Sequence, residues 1–157
     1  GKGDKGQKVL TNTHVYDFAK NDWQTLAKVT DADADFSVSG GAAIPLSDDE
    51  ILLLGGVNKA VFEDALFQFG HLEGQDLKDY KTSYFNNPPE EHHFSRRQLV
   101  YNMKFNTWRT LVKDVPFLGG AGPLSVAQKN GAIYWIGGEI KPVVRTPKVY
   151  QGRVTLD

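Results

Sequence analysis

The sequence predicts an all-β fold assembled from repeated four-stranded sheets, and three observations carry that reading. Glycines fall in pairs, at Gly40-Gly41, Gly55-Gly56, Gly119-Gly120 and Gly137-Gly138, with short apolar runs between them. Tyr16 and Trp23 in VYDFAKNDW are separated by six residues, as are Tyr101 and Trp108 in VYNMKFNTW, and each Tyr follows a Val. Gly40–Gly55 and Gly122–Gly137 are both steps of 15 residues, each holding an apolar strand, a polar turn (SDDE or QKNG) and a second apolar strand that ends in paired glycine. Short apolar runs bounded by turn residues at regular spacing are the pattern of a β repeat.

The repeating unit reads in order. Strand a is followed by a turn, strand b, the glycine pair, a spacer, strand c with its Tyr, six residues, and strand d beginning at Trp. Residues 1–39 supply the end of one unit, residues 40–113 a complete unit and residues 114–157 most of a third. The apparent period, Tyr16 to Tyr101, is 85 residues. One spacer explains the length: Gly55 to Tyr101 is 46 residues, against 13 from Gly137 to Tyr150. Without that excess of 33 residues the period is 52, close to the roughly 50 residues of a kelch blade. Paired glycine after an apolar strand, with Tyr and Trp at fixed offsets, resembles the kelch motif and implies a β-propeller. The glycines permit a tight exit from strand b and close backbone approach. The aromatics fill the wedge between adjacent blades.

Propellers close at roughly 4–8 blades. Two to three blades cannot close a ring, so the remainder is expected on the same or another chain. Alone, such a piece leaves apolar blade faces bare and is expected to self-associate.

Residues 59–97 break the strand pattern. Phe62, Leu66 and Phe69 share one helical face, and Leu77, Tyr80 and Tyr84 repeat the spacing. Pro88-Pro89 ends the second helix. The following EEHHFSRR, with His92 and His93, reads as a solvated charged segment. Strands within a blade are antiparallel, so b–c and d–a connections emerge on one face of the disc. The insertion is a b–c connection, and residues 139–147 are the next one.

That second connection holds the chemistry. Glu139 directly follows Gly137-Gly138, Arg145 comes six residues later, and Pro142 stiffens the path between them. A carboxylate can move protons, and a guanidinium can hold a carboxylate ligand in a bidentate fork. From spacing alone, the pair is equally readable as an ordinary surface ion pair. Asn58, beside Gly55-Gly56, is read as the counterpart of Glu139 in the preceding blade and as a rim contact to sugar. Asp31, Asp33 and Asp35 only superficially resemble a calcium loop, because the downstream Gly and Glu are missing.

The run GGEIKPVVRTPKV resembles the matching loop of the N-acetylneuraminate epimerase family, in Gly138, Glu139, Lys141, Pro142, Arg145 and Thr146. It departs at Val143, where the family often has Gly. GGVN at residues 55–58 before a helical insertion, and the tract around Tyr84-Phe85, are similar to the family as well. The resemblance implies a six-bladed kelch propeller that interconverts the α and β anomers of sialic acid, a sugar acid. It implies Glu139 as proton acceptor and Arg145 as the second catalytic residue. Arg145, Asn58 and Lys141 are the expected substrate contacts. Mutarotation needs acid–base ring opening and closing, so no cofactor and no metal are expected. A periplasmic or secreted location is also implied.

Composition narrows the alternatives. The 157 residues carry 18 basic and 19 acidic side chains, a net charge of −1, which argues against a nucleic-acid partner. No apolar run approaches the roughly 20 residues needed to span a bilayer. With no cysteine, disulfides and thiolate chemistry are excluded. A kelch interaction module without catalysis remains the main alternative. A sugar-oxidising copper propeller is opposed by the lack of Cys and of a convincing His pair.

Overall fold

The computed structural model describes residues 7–29, 36–127 and 130–154. The aspartate run at residues 31–35 lies outside the described residues. Strands β1 (Thr13–Asp17) and β2 (Asp22–Leu26) form an antiparallel pair. Strands β3 (Ala42–Pro45), β4 (Glu50–Leu54), β5 (Gln98–Asn102) and β6 (Thr107–Val112) form a four-stranded antiparallel sheet in chain order. Strands β7 (Leu124–Ala127) and β8 (Ala132–Ile136) continue into a third sheet. A small hairpin, β9 (Glu139–Lys141) and β10 (Val144–Arg145), interrupts it before β11 (Val149–Arg153) returns beside β8. These are successive blades of a kelch-type β-propeller.

The repeated Tyr and Trp are cross-strand partners. Tyr16 faces Trp23 and Tyr101 faces Trp108, with ring centroids 5.2 and 4.8 Å apart. The six residues between them turn through Asn21 (φ 53°) and Asn106 (φ 52°), a left-handed conformation that Asn tolerates. Each Asn side-chain oxygen accepts a hydrogen bond from its Tyr hydroxyl. Asn106 Oδ1 also accepts from the Ala27 amide at 2.7 Å, and Trp108 Nε1 donates to the Ala27 carbonyl at 3.0 Å. The turn of one blade is thereby stitched to the outgoing chain of the blade before it. The sequence shows an Asn five residues after each of these two Tyr, a part of the repeat that the aromatic spacing alone did not bring out.

The core forms within and between blades. Leu52 and Val100, on the middle strands β4 and β5, meet Ile44, with Ile133 of the next blade packed against them. Leu54, Val115 and Trp135 form a second cluster, and Phe117 stacks on Tyr150 at 3.9 Å. Tyr150 thus fills the wedge between blades, but not from the slot of Tyr101. It pairs with Trp135, two residues before Gly137-Gly138, whereas Tyr101 pairs with Ile51, four before Gly55-Gly56, so Tyr150 holds the register of Leu99.

The insertion is α1 (Lys59–His71), α2 (Gly74–Asn86) and one 3-10 turn, Pro89–His92. Phe69 meets Tyr80, Tyr84 and Phe85 at 5.4–6.0 Å, which closes the helices on each other. Tyr80 donates to Asp64 at 3.0 Å, and burial and that carboxylate push its phenol up to about 12.

Candidate active site

The connection carrying Glu139 and Arg145 is a hairpin rather than an open loop. Arg145 is the direct cross-strand partner of Glu139, with a bulge between Val144 and Arg145. Opposed residues of an antiparallel pair put their side chains on one face. Arg145 Nη2 accordingly lies 3.4 Å from Glu139 Oε1. The Glu139 side chain is 30% exposed and the Arg145 side chain 67% exposed, so the pair is open to solvent.

The backbone of Glu139 is held firmly. Its amide donates to the Ala121 carbonyl at 2.7 Å, and its carbonyl accepts from the Ala121 amide at 3.0 Å. Ala121 lies in the d–a connection, so a b–c and a d–a segment do meet on one face. Gly120, at φ 64°, has no room for a side chain: a Cβ there would overlap the Glu139 carbonyl oxygen. The rim continues main chain to main chain. The Gly56 amide donates to Gly120 at 2.9 Å, and the Gly122 amide donates to Gly40 at 2.6 Å.

The hairpin is also tied to the insertion. Lys141 Nζ donates to the carbonyls of Phe85 (2.8 Å) and Asn87 (2.9 Å), at the C-terminal end of α2. The ammonium expected to reach substrate is thus engaged by backbone. At the tip, Pro142 precedes Val143, which has φ 61°. Pro followed by a positive-φ residue is the pattern of a type II turn, whose second central position favours Gly. Val143 therefore places a β-branched residue in a left-handed, strained conformation at the tip.

A sequence model of the N-acetylneuraminate epimerase family matches residues 1–157. The chain belongs to that family. It is 35% identical over 148 residues to the N-acetylneuraminate epimerase of Yersinia enterocolitica, covering 93% of this chain and 36% of that protein. It is 30% identical over 146 residues to that of Salmonella arizonae, covering 92% of this chain and again 36% of the relative. The chain therefore spans about a third of the length of these curated relatives. The solved structure of YjhT superposes with a TM-score of 0.82 at 22% identity, over all of this chain and 45% of that one, and is similar in fold.

Within this member of the N-acetylneuraminate epimerase family, two expected features take other forms. Counted from the glycine pairs, Val57 holds the register of Glu139, and Asn58 lies one residue beyond it. The Asn58 side chain caps α1, accepting from the Val61 amide at 3.0 Å. It still lines a cleft of about 600 Å³ together with Ser37, His93, Ser95 and Arg96, but neither Glu139 nor Arg145 lines that cleft. His92, expected in solvent, is 2% exposed, and its ring sits edge-on against Tyr84 at 5.0 Å. Neither ring nitrogen has a hydrogen-bond partner. Burial, with the nearby Lys141 charge, holds its pKa below the ordinary value of 6.5. The signal for its burial was the dense aromatic set just upstream, which outweighs the charges beside it.

Proposed function

We propose that the propeller containing this chain is a sialic acid mutarotase, with Glu139 as the proton-transferring group and Arg145 as its partner. The observation that carries this reading is the Glu139–Arg145 pair, 3.4 Å apart on a doubly anchored hairpin. The similarity to proteins named N-acetylneuraminate epimerase supports the substrate class. The rest of the ring, on the same or another chain, completes the pocket.

The chemistry needs little else. Glu139 takes the proton of the anomeric hydroxyl while water or an acid protonates the ring oxygen. The bond from the anomeric carbon to the ring oxygen breaks, leaving the open-chain keto acid. Rotation about the adjoining carbon–carbon bond presents the other carbonyl face. The chain hydroxyl formed from the ring oxygen then re-adds to that face, losing its proton as the carbonyl oxygen gains one. Arg145 pairs with the sugar carboxylate and holds the reacting carbon in place. A positioned general acid or base contributes roughly 10²–10⁴-fold to such a proton transfer.

The test is NMR of anomer exchange with Glu139→Gln in the complete protein. Loss of most of the acceleration, with the fold retained, is expected. An unchanged rate would falsify the assignment of Glu139. The exposure of Arg145, 67%, is what an interaction module on this face would show; unaccelerated exchange in the unaltered protein would favour that reading. The family resemblance further motivates a role in carbohydrate metabolism and a periplasmic or secreted location, which fractionation of the source cells would test.

A further inference from the structure

The two hydrogen bonds of Lys141 join parts of the chain that are 54 and 56 residues apart in sequence. One end is the hairpin of Glu139 and Arg145, and the other is the last turn of α2. The last carbonyls of a helix lack intrahelical partners and carry the negative end of its dipole. An ammonium there satisfies two acceptors at once. Charge-assisted bonds of this kind are the stronger class. The 3-10 turn also packs against β9, with buried His92 beside Lys141.

We propose that Lys141 is a positioning residue, which bolts the helical insertion to the hairpin and so fixes where Glu139 and Arg145 stand. The insertion then acts as a brace for the reacting pair. This rests on the mutarotase reading above. On it, removing the bolt leaves substrate affinity nearly unchanged and lowers turnover, because the pair loses its fixed position. Small misplacements of reacting groups cost up to about a hundredfold in rate.

The experiment compares Lys141→Met and Lys141→Arg in the complete protein by two measurements. Amide hydrogen exchange is followed over residues 84–92 and 139–146. Anomer exchange is followed by NMR across sialic acid concentrations. Lys141→Met is expected to speed amide exchange in both segments by roughly tenfold, with strands β4 and β5 unaffected. It should lower the maximal rate about tenfold to a hundredfold with KM within about twofold. Lys141→Arg should restore most of both. Unaltered amide exchange overturns the bolt. A raised KM at an unchanged maximal rate overturns the positioning role and makes Lys141 a substrate contact. If the unaltered protein does not accelerate anomer exchange, the mutarotase reading fails and the positioning role falls with it. The amide measurement then still reports whether the bolt exists. If Lys141→Met does not fold, Lys141→Gln is read by the same two measurements.

Discussion

The Glu139 carboxylate and the Arg145 guanidinium stand 3.4 Å apart because their residues are opposed across a two-stranded hairpin. The pair is open to water, so its strength comes from placement rather than from burial. An exposed ion pair contributes about 1 kcal/mol or less to stability. Arg145→Ala should therefore leave thermal unfolding almost unmoved. On the mutarotase reading it should lower anomer exchange at least about tenfold. A large drop in unfolding temperature would show that Arg145 serves the fold.

Val143 offers a gain. A β-branched residue at φ 61° stores strain, on the order of 1–3 kcal/mol for such backbone outliers. Val143→Gly should raise stability by about 1 kcal/mol in denaturant unfolding, the relief of strain being partly offset by the greater freedom of an unfolded glycine. Val143 is 75% exposed, so little apolar burial is lost. A destabilised Val143→Gly would mean that the tip is held by contacts other than its backbone preference.

Two glycines should respond oppositely to alanine. At Gly120 a Cβ meets the Glu139 carbonyl, and φ is already left-handed. Gly120→Ala is expected to cost at least about 2 kcal/mol and to displace Glu139. Gly70, exposed within α1, has nothing within 4 Å of an added Cβ. Gly70→Ala should stabilise by about 0.5–1 kcal/mol. Equal effects at the two sites would contradict the rim packing described above.

His92 predicts a pH dependence with a definite sign. Its folded pKa lies below the unfolded value. Between those two values the unfolded chain binds more protons, so stability rises with pH there. The stabilisation is complete above about 6.5 and is lost as pH falls toward the folded pKa. The groups facing the ring are Lys141 from the hairpin, Tyr84 from α2, and Glu91 and His93 beside it. His92→Phe should flatten that part of the stability profile. It also removes two unpartnered buried nitrogens, each a cost of about 1–3 kcal/mol when left unsatisfied. Urea unfolding from pH 5 to 8 reads both effects; a profile that keeps its slope in the variant assigns the pH dependence elsewhere.

Much of the fold was legible because the repeat is written in residues with few substitutes. Paired glycines mark backbone contacts that no side chain can share, and Tyr and Trp mark a cross-strand pair. The insertion was legible from helical spacing. The site was legible only in part. Glu139 and Arg145 are close in sequence, so their pairing is local. Lys141 found its partners 54 and 56 residues away, and nothing in its own neighbourhood points to them. Asn58 was displaced by a single register step, and a cap at a helix start is a common use for Asn. His92 sits among charges in sequence but among aromatics in space.

The rim that seats Glu139 is made of main-chain groups rather than side chains. Backbone hydrogen bonds do not depend on residue identity beyond the requirement for glycine at the tightest approaches. Side chains on the loops above can thus be exchanged without loosening the ring beneath them. New substrate preferences could accumulate one substitution at a time on such a scaffold, while the glycines stay fixed as the part least free to vary.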